Sequence, residues 1–336
     1  MSLIHGGNLI RASTEFGIPL DEWIDLSTGI SPWSWPVPAV PETVWQRLPE
    51  DDDGLLESAA SYYHCPPETL LAVPGSQYAI SRLPALFPPA PVALPHWGYR
   101  EHQRAWEQAG HRPVYYQNEL QLRTWVEDGT VTNALVINPN NPSATLLQPA
   151  LLAELASVLE RRGGSLVVDE AFMDPHPDHS LLPLRATNTV FLRSLGKFFG
   201  LAGIRLGFAV ANPALLTRLA ADLDPWAVSH PARWLGRKAL LDHPWQTDQR
   251  DRLETYSRTW CAELRRLFPG LNWCRTALFV SAETDQAPAL FNAAARRGLL
   301  LRLYADRTPS LLRIGLPADP HWSQALTILD AIRREL

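Results

Sequence analysis

Between residues 91 and 210 the chain alternates short apolar runs of strand length with helical patterns, and this alternation restricts the fold more than any other feature. The runs are PVAL (91–94), PVYY (113–116), ALVIN (134–138), SLVVD (165–169), TVFLRS (189–194) and RLGFAV (205–210). They are continuous rather than interleaved with polar residues, which is the pattern of strands buried on both faces. The clearest helix among them is LLQPALLAELASVLERRGG (146–164), with apolar repeats, basic residues in its last turn and a glycine stop. Together they predict an α/β domain with a mostly parallel sheet covered on both faces by helices.

Proline-rich stretches at 31–41, 86–95 and 138–142 read as rigid turns between these elements. After PWAVSHPARW (225–234) the pattern changes to a long amphipathic helix at roughly 246–268. Short strands follow at LFVSA (278–282), LLLRLY (299–304) and LLRIGL (311–316), and a helix from about 320 closes the chain. The expected division is an N-terminal arm over 1–35, a large α/β domain over 36–230 and a small α+β domain over 231–336.

Composition removes several function classes. At 46% apolar and 19% charged residues the chain is globular rather than disordered. A net charge of -5, with no run of basic residues longer than a pair, gives no electrostatic footprint for nucleic acid. Cys65, Cys261 and Cys274 lie far apart without metal-ligand spacing, so neither a disulfide framework nor a metal site is expected. No membrane span or secretion signal is legible, and a cytoplasmic protein is expected. Of the 30 basic residues only Lys197 and Lys238 are lysines, so any lysine chemistry has two candidates.

Four segments carry candidate chemistry. RSLGKFFGLAGIRLGF (193–208) places Ser194, Lys197 and Arg205 among glycines; hydroxyl and guanidinium donors suit a phosphate, and an amine between them can reach an aldehyde on the same ligand. SLVVDEAF ends an apolar strand on Asp169, where a carboxylate either caps the next turn or partners a protonated nitrogen. VINPNNPSA (136–144) offers Asn141 as a neutral donor to an oxyanion, or is simply a loop. AVPGSQYA (72–79) is a strand-to-helix turn whose Gly75, Ser76 and Gln77 present backbone amides to an anion.

In order and spacing these segments resemble the fold-type I enzymes that use pyridoxal 5'-phosphate, in particular the class I/II aminotransferase family, over nearly the whole chain. The resemblance implies that Lys197 condenses with the cofactor's aldehyde, that Asp169 pairs with its ring nitrogen and that Asn141 donates to its phenolate oxygen. Gly75, Ser76, Gln77, Ser194 and Arg205 are implied to hold its phosphate, and Trp97, in LPHWGYR, to stack on its ring. Within the family HGGN (5–8), DLSTGISP (25–32), DEAF and DPWAVS (224–229) resemble a branch that decarboxylates a phosphorylated amino acid. Histidinol-phosphate aminotransferases are the rival branch, and a catalytically silent cofactor-binding module is the reading from a different class. His5, Asn8, Arg302 and Arg313 are the implied substrate-binding residues, and a homodimer is implied as the assembly. Two departures stand out: Leu48 occupies the place of a common tyrosine, and Gly29 the place of a common asparagine.

Overall fold

The structure, a computed structural model, describes residues 5–335; the first four residues of the expected arm, and residue 336, lie outside the described residues. In chain order the strands are β1 (Ile24–Asp25), β2 (Leu70–Val73), β3 (Pro91–Pro95), β4 (Arg112–Tyr116), β5 (Asn133–Ile137), β6 (Leu166–Asp169) and β7 (Thr189–Ser194). They continue with β8 (Gly207–Val210), β9 (Cys274–Arg275), β10 (Phe279–Glu283), β11 (Leu299–Leu300), β12 (Arg302–Tyr304) and β13 (Leu311–Gly315). The described chain divides into two compact units, a larger one of 34–141 and 145–247 and a smaller one that takes the residues up to 33, 142–144 and those from 248 onward. The smaller unit thus begins its C-terminal part at 248, and helix His230–Leu241 belongs to the larger one.

The larger unit is built on a seven-stranded sheet in the order β2-β8-β7-β6-β5-β3-β4. The five strands from β7 to β4 are mutually parallel, while β8 runs antiparallel to both β7 and β2. One face of the sheet carries Val92, Leu94, Leu135, Ile137, Val167, Val190, Leu192 and Ala209, packed against Ala79, Ile80, Trp106, Leu215, Leu216 and Leu219 of flanking helices. The intervening residues Ala93, Ala134, Val136, Leu166, Val168, Phe191 and Phe208 point the other way and are buried as well. Burial on both faces is why these strands read as unbroken apolar runs. Helix Pro149–Arg161 shows the matching device: proline in its first turn, Leu151, Leu152, Leu155, Ala156 and Leu159 on one buried stripe, and Gly163 at φ +71° just beyond its end.

In the smaller unit β12-β13-β10-β9 form an antiparallel sheet, and β1 pairs in parallel with β11. The LLLRLY run is therefore two strands: Leu299–Leu300 joins β1, while Arg302–Tyr304 turns to β13. Helix Trp322–Glu335 buries Ala325, Leu329 and Ile332. No helix among the described residues is long and apolar enough to cross a membrane.

Candidate active site

Three strands bring the first group of candidate residues together. Val73, Gly207 and Ser194 stand in register across β2, β8 and β7. The chain leaves β2 through Gly75, at φ +77°, and enters helix Ser76–Arg82. A Cβ on Gly207 would lie 2.6 Å from the nitrogen of Ser76 and 2.7 Å from the carbonyl oxygen of Arg193, so glycine is what lets this turn approach β7 and β8. A Cβ on Gly75 would lie 2.5 Å from Nη2 of Arg205, whose guanidinium covers the bare face of the glycine. Ser194 Oγ accepts the Gly196 N–H at 3.3 Å. The side chain of Gln77 is engaged in the fold, accepting from the Tyr99 hydroxyl at 3.0 Å and donating to Ser81 Oγ at 3.3 Å. What Gln77 offers an anion is therefore its main-chain N–H, one of the first-turn amides for which a helix supplies no acceptor. Two first-turn amides, a serine hydroxyl and a guanidinium around two bare glycines have the shape and charge of a phosphate cradle.

The second group follows the carboxyl ends of the neighbouring parallel strands, the edge at which open α/β sheets bind ligands. Lys197 lies three residues past the end of β7, half-buried, with Nζ 5.4 Å from the centre of the Phe172 ring. Asp169 ends β6 and is buried. Its Oδ1 accepts the Ala171 N–H at 3.0 Å, so the turn-capping reading holds for that oxygen. Its Oδ2 sits 2.8 Å from Nε2 of His102, also buried, on helix Arg100–Gln108. Each carboxylate oxygen can accept two hydrogen bonds, so the arrangement orients Asp169 and leaves it able to take a further donor. Sequence reasoning missed His102, whose helix is strongly polar. The available signal was its place one turn before Trp106, on the same buried face.

The residues next to Asp169 and Ser194 form a buried ionic cluster. Arg193 donates to Glu170 Oε2 and, at 2.5 Å, to Asp174 Oδ1; its guanidinium lies 4.5 Å from the centre of the Tyr63 ring. Ser180 Oγ donates to the same Glu170 oxygen at 2.6 Å. Burial holds the Glu170 carboxyl above its ordinary range against the opposing pull of Arg193, and raises the Tyr63 phenol strongly. Burial also opposes the charge on Arg193, yet Asp174 and Glu170 hold it above the usual arginine range.

Three asparagines after β5 divide the work of one loop. Asn138 closes its neck, its Nδ2 donating to Leu147 O at 3.1 Å and its Oδ1 accepting from Leu147 N at 2.8 Å. Asn140 reaches sideways, with Nδ2 2.8 Å from the carbonyl oxygen of Trp97. Asn141 is buried beside it, and Trp97 follows β3, half-buried, with the His96 ring edge-on at 5.7 Å. All nine residues expected to bind the cofactor thus lie in the larger unit, at or just past strand ends that share one edge of the sheet.

The four expected substrate-binding residues lie in the smaller unit. Arg313 on β13 is buried, with Nη2 donating to Ser27 O at 2.6 Å. Arg302 stands directly opposite it on β12, its guanidinium 4.7 Å from the centre of the Tyr304 ring. His5 precedes Gly6, where a Cβ would lie 2.3 Å from the same Ser27 oxygen, and the Gly7 N–H donates to Ser27 Oγ at 2.7 Å. Asn8 caps helix Leu9–Phe16 by accepting the Arg11 N–H at 3.3 Å. Of the departures, Leu48 is exposed beside a surface pair of Arg47 and Glu50. Lys238, the other lysine, lies on helix His230–Leu241 with Nζ 4.7 Å from the Trp234 ring centre.

Residues 48–332 match the family described as aminotransferase class I and II, and the chain belongs to that family, whose members use pyridoxal 5'-phosphate as cofactor. Among curated proteins it is similar to the threonine-phosphate decarboxylase of Pseudomonas aeruginosa, 44% identical over 321 residues that make up 94% of each chain. The threonine-phosphate decarboxylase of a Sinorhizobium species is 37% identical over 99% of this chain and 98% of the relative. Among solved structures, the histidinol-phosphate aminotransferase of Sinorhizobium meliloti in complex with pyridoxal 5'-phosphate matches with a TM-score of 0.83 over 99% of both chains. At 18% identity that last likeness is one of fold.

Proposed function

We propose that this protein is a pyridoxal-phosphate-dependent carboxy-lyase that converts L-threonine O-3-phosphate to (R)-1-aminopropan-2-ol O-2-phosphate and carbon dioxide, a reaction that serves cobalamin biosynthesis. The observation that carries this reading is the near-full-length sequence similarity to threonine-phosphate decarboxylases, in a chain that keeps Lys197, Asp169, Asn141 and Arg205 on one edge of its sheet.

When bound, the cofactor supplies the sink for the electron pair that the departing carboxylate leaves at the α-carbon. The protein's residues then have separate tasks. Gly75, the Ser76 and Gln77 amides, Ser194 and Arg205 bind the phosphate, while Trp97 covers one face of the ring. Asp169, oriented by the Ala171 N–H and His102, holds a proton at the ring nitrogen. Asn141 donates to the ring oxygen. Lys197 would hold the cofactor at its aldehyde carbon, and its amine, when free, would be the group placed to carry a proton to the substrate α-carbon.

Arg302 and Arg313 stand directly opposite on paired strands, where like charges disfavour each other, and an anion near both would lessen that cost. Arg302 and Arg313, with His5 and the adjoining Asn8, are accordingly the residues proposed to bind the substrate's phosphate and carboxylate. A phosphate anchor that fixes the substrate's orientation would help to select which bond at the α-carbon breaks, and so favour decarboxylation. A clamp that held the carboxylate equally well before and during its loss would add nothing to the rate.

Amino transfer is the second reading, because part of the chain is also similar in sequence to histidinol-phosphate aminotransferases. Incubating the purified protein with L-threonine O-3-phosphate, and separately with histidinol phosphate and 2-oxoglutarate, separates the two by carbon dioxide release against 2-oxoglutarate consumption. A chain that only bound the cofactor would do neither. The same reading takes the protein to be a cytoplasmic homodimer; light scattering after size exclusion should give about twice the chain mass of 37.6 kDa.

A further inference from the structure

The ladder between β3 and β5 pairs Val92 with Asn133 and Ala93 with Ala134, and among the described residues no pair extends further along it. Past that point β3 gives its main chain to β4: Pro95 stands opposite Tyr116, and the His96 N–H donates to Tyr116 O at 2.8 Å. At the carboxyl ends of β3 and β5, from which Trp97 and Asn141 follow, a side chain makes a link. Asn140 donates from Nδ2 to Trp97 O at 2.8 Å, while its own N–H donates to Thr145 O at 2.7 Å across the loop. The residue is buried, and its Oδ1 has no hydrogen-bond partner among the described residues. An unsatisfied buried acceptor is costly, and a leucine of similar volume would avoid that cost. What asparagine provides there and leucine cannot is the donor to Trp97.

We propose that Asn140 is a positioning residue for cofactor binding, fixing the main chain of Trp97 so that its ring is held at a set height beside Asn141. This rests on the reading of Trp97 as the stacking ring. Asn140 does not itself need to touch the cofactor; it ties the loop that brings the hydrogen-bond donor to the loop that brings the aromatic face. A misplaced ring loses contact energy with the bound cofactor and changes its asymmetric surroundings, so both affinity and induced circular dichroism respond.

The test uses four full-length apoproteins: native, Asn140→Leu, Trp97→Ala and the double variant. Each is titrated with pyridoxal 5'-phosphate while the visible absorbance and the induced circular dichroism of the cofactor are read. Loss of one buried hydrogen bond should raise the dissociation constant about three- to tenfold in Asn140→Leu and weaken its circular dichroism. In the Trp97→Ala background, where no ring remains to be placed, the same substitution should change neither. An equal loss in both backgrounds, or no loss in the native background, overturns the proposal. Asn140→Asp, which keeps the shape and removes the donor, takes the place of Asn140→Leu if that variant does not fold, and the same comparison decides. Failure of the native protein to bind the cofactor would instead contradict the reading of the site itself.

Discussion

Replacing Gly75 with alanine separates the phosphate cradle from the chemistry. Gly75 has φ +77° and ψ 151°, a conformation essentially confined to glycine, and an added side chain there costs about 1–3 kcal/mol of stability. The new Cβ would also stand 2.5 Å from Nη2 and 3.0 Å from Cζ of Arg205. To reach ordinary contact the guanidinium must retreat by roughly 1 Å, enough to break a charge-assisted hydrogen bond whose useful range is only a few tenths of an ångström. Such bonds contribute about 1.5–3 kcal/mol each, so the dissociation constant for pyridoxal 5'-phosphate should rise roughly 10- to 150-fold. Urea denaturation of the apoprotein reads the first effect, and visible titration with the cofactor reads the second. Gly270→Ala, at an exposed glycine with nothing within 4 Å of the added carbon, is the control and should alter neither. A folded Gly75→Ala protein that binds the cofactor with native affinity would refute the assignment of this turn and Arg205 to the phosphate.

The buried ionic cluster yields two further expectations. Arg193→Met leaves Glu170 and Asp174 without their shared cation and should cost roughly 3–5 kcal/mol in chemical denaturation; a loss below about 1 kcal/mol would show that the cluster contributes little. Because Glu170 is raised in the folded state, native protein keeps its proton at pH values where the unfolded chain, with an ordinary carboxyl near about 4.3, has released it. The stability difference between native protein and Glu170→Gln should therefore fall as pH rises above that value, and a difference that instead grows would reverse the assigned sign.

The strands of the larger sheet were legible because burial on both faces leaves a continuous apolar run, a pattern that survives without any knowledge of partners. Lys197 stood out for a different reason: arginine cannot shed its proton to attack an aldehyde, so a chain with two lysines offers two candidates, and of these Lys197 follows a strand in a glycine-rich segment. Asp169 could be placed at a strand end, but sequence did not decide between capping and holding a protonated nitrogen. In the folded chain one carboxylate oxygen caps the turn and the other meets His102. His102 itself stayed hidden because helix REHQRAWEQ is polar on most of its surface, and only spacing relative to Trp106 separates the buried histidine from its exposed neighbours. Arg193 and Glu170 were hidden by adjacency, since each sits beside a residue that drew attention for another role. The split of LLLRLY between two sheets depends on partners distant in sequence, Ile24–Asp25 and Leu311–Gly315, which local pattern does not reveal. Asn8 shows the converse, a candidate substrate contact whose side chain forms a helix cap.

Carboxyl-labelled L-threonine O-3-phosphate, incubated with the cofactor-loaded protein in the presence and absence of 2-oxoglutarate, puts the central claim to its most direct measurement. Labelled carbon dioxide should appear in one-to-one amount with the amine phosphate, at the same rate with or without 2-oxoglutarate, and Lys197→Ala should release none. Retention of the label in a 2-oxo acid phosphate, formed only when 2-oxoglutarate is present, would contradict that claim.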